Sequence, residues 1–402
     1  MIELGVEPKR KSVVIAEEEP AHYLILGDFG GRATEPLAVD RDNFDSMMAK
    51  LQVNLAGAPL RELEDFHPDR LFRNLPLFRE FDPAEAQGGE TSARPTPQAD
   101  IGELLRSSSL LEQIAEGGDP FENYVRDLAR AHAATPELSD PERDAALGER
   151  MRGLLHHPRF QAVEAAWRGL DFVIRSDSGD DTGVRLRMAH FPQAEAARDL
   201  LDARSLGDTR MHALLAARRW RAVIGLYSFG SEAADIEFLG RMALLAAHIG
   251  APFIAEGSVE MGDHWEELRA IPEASYLGLA LPRFLLRLPY GARTSAIESF
   301  PFEEMPPAPV HAHYLWGNPA LAFLTLLPSG GALNLEGLPL HTYQDEGEWH
   351  MTPCAEVWMT ETQVLALIDR GLMPLVSFRD SDRVRLAGFR AINGEELALR
   401  SA

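Results

Sequence analysis

The sequence predicts an α/β (α+β) protein in which helices flank a mixed sheet and a smaller α/β unit lies N-terminal to the main one. Three observations support this class: a strand–helix–strand pattern over 220–256, a second pattern of short strands and helices over 21–82, and a change of composition at 83–105. The 402 residues are enough for a sizeable hydrophobic core in more than one domain.

The main unit is organised around residues 220–256. The apolar run 222–227 is rich in β-branched and aromatic residues and predicts a buried strand. Ser231 is the predicted N-cap of the helix that follows, and Gly250 is its predicted C-cap. The run 253–255 then begins a second buried strand. A strand, a helix and a strand with short connections predict two parallel strands joined by a right-handed crossover.

The N-terminal part begins with a predicted extended arm at 1–20. Its run 13–15 is either an edge strand between charged flanks or part of a frayed tail. Strands at 22–26 and 37–39 and two helices make up the predicted unit 21–82. The glycine-rich turn 27–31 lacks the Lys-Ser/Thr of a phosphate-binding P-loop, so a tight turn is the better interpretation.

The stretch 83–105 predicts a flexible linker because it is rich in proline, glycine, alanine and polar residues. It is the clearest boundary in the chain, and it leaves 106–402 as the large domain. Apolar residues recur at helical spacing through much of this domain. Further strands are predicted at 184–188, 337–341, 357–360 and 374–378.

Composition excludes several classes of function. The formal net charge of −23 argues against a nucleic-acid binder, because phosphate contacts need a basic face. No apolar run approaches the roughly 18 residues that span a bilayer, and the first residues lack the apolar core of a signal peptide. The single cysteine, Cys354, excludes an intramolecular disulfide. We therefore expect a cytoplasmic protein without membrane insertion.

Several motifs of the large domain resemble the large subunit (TssC, also VipB) of type VI secretion system contractile sheaths. The motifs keep the order and approximate spacing of that family over roughly 105–390. They are LHHPRFQ at 155–161, EAAWRGL at 164–170, DIEFL at 235–239, APF at 251–253, LPRFLLRLPYG at 281–291 and LWGNPA at 315–320.

The N-terminal unit resembles the small sheath subunit (TssB, also VipA). Its motifs are LGDF at 26–29, VDRDNF at 39–44 and LEDFHPD at 63–69. In the family the two subunits form an interlaced heterodimer. The resemblance therefore implies a fusion in which the small unit is packed on, or interlaced with, the large domain of the same chain.

The resemblance implies a structural subunit of a contractile sheath or sheath-like assembly. The implied partners are other sheath subunits or further copies of the chain, with inner-tube or baseplate proteins and the recycling AAA+ ATPase as additional ones. Large subunits of the family usually continue well past the strand that corresponds to 374–378, and this sequence ends at Ala402. We therefore expect the usual C-terminal extension to be lacking, which favours a sheath cap or baseplate adaptor as the alternative. A third class is an enzyme with Ser228 and Glu256 in a cleft above the 220–256 unit.

Two arginines, Arg283 and Arg287, are the first candidates for an interaction site. The stretch 281–291 is too apolar for a free loop, and its prolines do not suit a central strand. Arginines four residues apart beside aromatic residues favour fixed ion pairs with acidic neighbours. The sequence leaves open whether those neighbours lie in the same chain or in another subunit.

Leu110, Leu111 and Ile114 are the second candidates. They lie in a predicted helix that resembles the helix which the recycling ATPase recognises in the family. Because this helix directly follows the predicted linker, we expect it to be accessible to the ATPase. The alternative is a helix that packs on its own domain.

The sequence predicts no catalytic residue, no cofactor and no metal. A metal site from His311 and His313 with His341, His350 or Asp345 is the less favoured interpretation, because their spacing matches no named motif. The pair His156-His157 suits a turn at the end of a helix, and Cys354 suits a buried structural thiol because no cationic partner adjoins it.

Overall fold

The computed structural model describes residues 20–32, 35–81, 120–131, 139–176, 184–326 and 333–399. The predicted arm 1–20 (apart from Pro20), the predicted linker 83–105 and the predicted helix that contains Leu110, Leu111 and Ile114 lie outside the described residues.

The described helices fall in both predicted units. In chain order they are α1 (Phe44–Leu51), α2 (Pro68–Asn74), α3 (Pro120–Ala131), α4 (Asp140–Leu155), α5 (Pro158–Ser176), α6 (Gln193–Leu201), α7 (Arg210–Ala216), α8 (Ala233–Ile249), α9 (Trp265–Arg269), α10 (Pro319–Leu326) and α11 (Glu361–Asp369).

The strands of the N-terminal unit are followed by those of the large domain. They are β1 (Ala21–Gly27), β2 (Leu37–Val39), β3 (Asn54–Leu55), β4 (Ala58–Pro59), β5 (Val184–His190), β6 (Ala222–Phe229), β7 (Phe253–Gly257), β8 (Leu277–Leu281), β9 (Phe284–Leu285), β10 (Trp316–Gly317), β11 (Asn334–Leu335), β12 (His341–Asp345), β13 (Glu348–Thr352), β14 (Leu372–Ser377) and β15 (Val384–Leu386).

A nine-stranded mixed sheet dominates the fold. Its spatial order is β11-β15-β14-β8-β7-β6-β1-β5-β2. The six strands from β14 to β5 are parallel, and the outer strands β2, β15 and β11 are antiparallel to their neighbours. Helices flank this sheet, so the predicted fold class is confirmed.

The strand–helix–strand unit at 220–256 is confirmed as β6, α8 and β7, with β6 and β7 parallel. Gly250 ends α8 in the left-handed conformation with φ 71°, as a C-cap glycine does. The predicted N-cap is wrong by one residue, because the cap position is Glu232. Asp235 stabilises the turn instead: its carboxylate accepts a 2.8 Å hydrogen bond from the Gly230 N–H.

Two predicted strands near the C-terminus are wrong. Residues 357–360 form no strand, and Thr360 instead caps α11 by accepting a hydrogen bond from the Gln363 N–H. In the stretch 337–341 only His341 is in a strand, at the start of β12. Both errors have the same cause. A short apolar run is too short to show a repeat of hydrophobic residues that would distinguish a strand from an extended loop.

The N-terminal unit is interlaced with the large domain. Strand β1 lies between β5 and β6, with Ala21 to Gly27 in register with Val184 to His190. The indole of Trp167 on α5 donates a 3.0 Å hydrogen bond to the Phe29 carbonyl and packs edge-on against Phe29 and Phe44. One hydrophobic cluster therefore contains side chains from both units.

Polar contacts join the same two units. The Asp69 carboxylate accepts hydrogen bonds from the Glu298 and Ser299 N–H groups, the shorter of them 2.8 Å. The buried Arg150 on α4 donates to the Leu77 carbonyl at 2.6 Å and lies over the Phe81 ring. The division into domains at 83–105 stays a prediction, since the described parts on both sides share a core.

Candidate functional site

The carboxyl ends of the central parallel strands form one rim of a cleft. In chain order the strands β1, β5, β6, β7 and β8 have the spatial order 2-1-3-4-5, so the strand order reverses at β1 and β6. Crevices at such switch points are the usual ligand sites of doubly wound sheets. A cavity of about 720 Å³ opens at this point, between the ends of β1, β6 and β7, the corner from α4 to α5, and the segment 311–318.

Glu256, at the end of β7, is the central polar group of this cleft. It accepts a 2.6 Å hydrogen bond from the Ser228 hydroxyl, and the Asn318 amide lies 3.4 Å away. Burial raises the pKa of Glu256, although the Ser228 hydrogen bond and the charge of Arg283 oppose that shift. The sequence had correctly placed Ser228 and Glu256 at this edge.

Ser228 and Glu256 form a positioned hydroxyl–carboxyl pair. A serine nucleophile needs an adjacent base that is itself held by a third group. Among the described residues, the hydrogen bond recorded for the Ser228 hydroxyl goes to Glu256. This arrangement can bind a polar group and transfer a proton, but no histidine of the described ranges forms a hydrogen bond with the Ser228 hydroxyl, as a serine hydrolase would require.

Arg283 lies at the mouth of the cleft, in the stretch that follows β8. Its guanidinium forms a two-pronged ion pair with Glu356, with Nε 2.9 Å from Oε2, and it lies 3.8 Å from Glu256. His311 approaches the same Glu356 carboxylate at 3.3 Å. The Arg283 side chain is 38% exposed, so another molecule can reach it.

Arg287 is the centre of a buried ionic network. It donates to Glu164 at 2.9 Å and to Glu304 at 2.8 and 3.1 Å, and its guanidinium lies over the Tyr290 ring. Arg168 donates to Glu164 at 2.7 Å and to the Tyr290 hydroxyl at 3.0 Å. Both carboxylates are fully buried. Two arginines thus offset two glutamates, as a desolvated ion cluster requires.

Both arginines predicted from the sequence therefore make ion pairs within their own chain. A contact of either arginine with another subunit stays a prediction. The Arg287 side chain is 9% exposed, so Arg283 is the one that a neighbouring subunit can reach. The partners of Arg287 were missed because Glu164 is 123 residues away in the chain.

Two histidines stack where the cleft meets this network. The His156 and His313 rings lie 3.7 Å apart and almost parallel, and His156 Nε2 is 3.7 Å from a Glu304 oxygen. Burial, and then the neighbouring His156, lower the pKa of His313. The neighbouring His157 has the predicted turn role, since its Nδ1 accepts a hydrogen bond from the Arg159 N–H.

The histidines weighed for a metal site have separate partners. His311 contacts Glu356, His313 stacks on His156, the His341 ring lies 2.6 Å from the Tyr314 hydroxyl, and His350 stacks on Tyr343. Within the described ranges, no three His, Cys, Asp or Glu side chains are grouped so that they could hold a metal ion.

Cys354 is buried, as predicted for a structural thiol. Burial, together with the nearby Asp382, raises its pKa to about 11. Because the thiolate is the reactive form, this environment makes the thiol inert near neutral pH. In the part of the chain that the structure describes, no helix has the length and apolar character needed to cross a bilayer.

The buried Glu304 predicts a specific acid sensitivity. Burial alone would raise its pKa, but the charge of Arg287, together with the neighbouring His156, the Arg287 hydrogen bonds and the Tyr290 N–H, outweighs burial and lowers it from 4.5 to about 2. A depressed folded-state pKa stabilises the fold above pH 4.5, and this stabilisation is lost as the pH falls towards 2. We expect on the order of 3 kcal/mol of unfolding free energy to be lost in that window.

Urea unfolding at several pH values between 5 and 2 measures this loss. The control is Glu304→Gln, which removes the titrating group. We expect a visibly smaller pH slope in this variant even though the variant is less stable overall. An identical slope in the two proteins would show that Glu304 does not carry this acid sensitivity.

Most of the cleft residues and the whole ionic network lie in a stretch that is similar to known sheath proteins. Residues 141–264 and 258–329 match the family described as VipB: EvpB/VC_A0108, tail sheath N-terminal domain. Residues 141–329 are thus similar to the VipB tail sheath domain. This stretch is slightly less than half of the chain, and it contains Glu164, Glu256, Arg283, Arg287 and Glu304.

A curated relative supports the same family. The chain is 27% identical over 301 residues to the type VI secretion system sheath protein TssC1 of Pseudomonas aeruginosa. The match covers 62% of this chain and 59% of the relative, so the chain spans little more than half of that protein's length. The resemblance of the large domain to sheath large subunits is therefore confirmed over the matched part.

Proposed function

We propose that this protein is a structural building block of a type VI secretion contractile sheath or of a closely related sheath-like assembly. The observation that carries the proposal is the match of residues 141–329 to the tail sheath domain, together with the 27% identity to a sheath protein. A sheath stores energy in the contacts between its subunits, so the subunit has to be a rigid body with two packing arrangements.

The buried network around Arg287 supports such a role. It ties α5 to the stretch 287–290 and to Glu304 through charge-assisted hydrogen bonds. Such bonds are stronger and more directional than contacts between neutral groups. The network therefore holds the segment after β8 in one position, and a rigid segment transmits strain to a neighbouring subunit.

We also propose that the N-terminal unit takes the place of a separate small sheath subunit. The insertion of β1 between β5 and β6 supports this idea, because residues 21–27 complete a sheet that would otherwise have a gap at its centre. A heterodimer of separate chains can be held together in the same way. In this proposal the protein acts in the cytoplasm, as its composition and single cysteine predict.

Leu110, Leu111 and Ile114 belong to this proposal as the segment that the recycling AAA+ ATPase would recognise. Inner-tube and baseplate proteins are further proposed partners. A non-polymerising sheath cap or baseplate adaptor is the alternative role, and a catalytic role for Ser228 and Glu256 is the less favoured one.

Co-sedimentation with the sheath components of the same system tests the proposal. A building block is expected to pellet with assembled sheath in an amount that rises in proportion to sheath length. An adaptor at the sheath end would saturate at a small, length-independent amount. Protein that stays entirely in the supernatant would contradict both roles.

A further inference from the structure

The hairpin of β12 and β13 begins beside the cleft at the carboxyl edge of the large sheet. Within the described residues its two strands pair with each other and with no strand of that sheet. Its base is anchored by Tyr314, whose hydroxyl lies 2.6 Å from His341 Nδ1 and 2.8 Å from the Thr352 hydroxyl. Tyr314 also lines the cleft at the carboxyl ends of β6 and β7.

The end of this hairpin combines an exposed indole with three carboxylates. We call this surface the acidic tip; it consists of Asp345, Glu346, Glu348 and Trp349. Trp349 is 69% exposed, the largest exposed fraction among the large hydrophobic side chains of the described residues. Exposed tryptophans of this kind are typical anchors of protein interfaces. A two-stranded hairpin is marginally stable alone. A hairpin that pairs with no other described strand and exposes an indole therefore suits a partner.

A second charged surface lies at the opposite, amino edge of the sheet, around the start of β1. We call it the arginine patch, and its members are Arg185, Arg187, Arg218, Arg219 and Arg221. The Arg221 N–H donates a 2.7 Å hydrogen bond to the His22 carbonyl, and an Arg218 nitrogen lies 3.3 Å from the His22 ring. Arg185 is in register with His22 on the neighbouring strand.

The arginine patch is not neutralised by nearby carboxylates of the described chain. In the described part, none of its five members has a carboxylate within the 4.0 Å of an ion pair. Burial, and then the charge of Arg218, lower the pKa of Arg187, as expected where cations crowd together. The turn carboxylates Asp40 and Asp42 line the same groove as Arg185 and Arg187, and Asp40 accepts hydrogen bonds from the Asp42 and Asn43 N–H groups. The described residues thus leave a cluster of arginines without carboxylate partners in a chain of net charge −23, and such a cluster can bind an acidic ligand.

Among the described residues no ion pair joins the two surfaces: the base of the hairpin lies beside the cleft at the carboxyl ends of β6 and β7, and the arginine patch lies around the start of β1. We propose that the acidic tip of one copy of this chain docks on the arginine patch of the next copy. Such a contact joins two different surfaces head to tail, and a repeated head-to-tail contact builds a ring or an open helical array. This inference deepens the proposed sheath function and rests on it.

The chemistry of the two surfaces is complementary. Carboxylates form charge-assisted, two-pronged hydrogen bonds with guanidinium groups. The Trp349 indole can stack on an arginine of the patch, because tryptophan is the preferred aromatic partner for a cation. A groove of about 520 Å³ opens beside Arg185 and Arg187 and can receive the indole.

Charge reversal tests this contact with two variants of the full chain. The tip variant carries Asp345→Lys, Glu346→Lys and Glu348→Lys, and the patch variant carries Arg185→Glu, Arg218→Glu and Arg219→Glu. Each variant alone brings like charges together, so we expect self-association, measured by sedimentation velocity, to weaken at least 10-fold. In an equimolar mixture the two variants can alternate, so that every contact joins opposite charges. We then expect association close to that of the unmodified chain.

Matched controls separate the contact from general charge effects. Asp202→Lys, Asp208→Lys and Glu260→Lys make the same charge change on exposed positions elsewhere and should leave association unchanged. Trp349→Ala should weaken association without any change of charge, whereas Trp358→Ala should not.

Three results would overturn the contact: no self-association of the unmodified chain, no effect of the tip variant, or no recovery in the mixture. The last result would mean that the acidic tip and the arginine patch do not contact each other. Because this assay uses the chain alone, its failure leaves the co-sedimentation test of the sheath role intact.

Discussion

Replacing Arg287 with methionine is expected to lower the free energy of unfolding by about 3–5 kcal/mol. The substitution leaves Glu164 and Glu304 fully buried without their shared cation, although methionine fills much of the same volume. Removal of one partner from a desolvated ion cluster is costly because the remaining charge has no water to replace the lost contact. Urea unfolding at neutral pH, followed by fluorescence, measures this loss.

Two further variants show whether burial causes the effect. Arg175→Met removes an ion pair with Asp171 whose arginine is 74% exposed, and we expect a change below about 1 kcal/mol. Adding Glu164→Gln and Glu304→Gln to Arg287→Met removes the uncompensated charges and should recover part of the stability. A loss at Arg287 no larger than that at Arg175 would contradict the assigned network.

Replacing Trp167 with alanine is expected to cost about 3–5 kcal/mol and to loosen both units together. The indole is fully buried, and it contacts Phe29 and Phe44 of the N-terminal unit from its position on α5. Its loss therefore leaves a cavity where the two units meet, and it also removes the hydrogen bond that the Phe29 carbonyl accepts from the indole. Calorimetry should show a single transition that moves to lower temperature.

The comparison with Trp167→Phe separates packing from hydrogen bonding. Phenylalanine keeps most of the ring contact, so we expect a smaller loss of about 1–2 kcal/mol. Trp358→Ala, at a position that is 42% exposed, should change stability very little. Two separate transitions in Trp167→Ala, with only one of them shifted, would contradict a core shared by both units.

The parts of the fold that local signals determine were predictable from the sequence. The strand–helix–strand unit follows from an apolar run, a helical period and the glycine at position 250, all within the 37 residues 220–256. Ser228 and Glu256 were placed at one edge because the carboxyl ends of parallel strands lie together. The resemblance to sheath proteins implied the interlacing of the two units.

The remaining features depend on long-range pairing, which periodicity does not encode. The insertion of β1 beside β5 joins residues 163 positions apart, and its register is visible only in the structure. The ion pairs of Arg287 could be anticipated as a type of contact, but Glu164 and Glu304 could not be distinguished from many other acidic residues. The errors at Ser231 and 357–360 arose where alternative caps and extended loops compete with regular structure.

Negative-stain electron microscopy of the purified protein, alone and with the other sheath components, tests the sheath role most directly. The account predicts tubes in which this chain is distributed along the whole length, as shown by a tag on the chain. Label confined to tube ends would indicate a cap or adaptor. Dispersed particles that neither form nor join tubes would contradict the claim that this protein is a sheath building block.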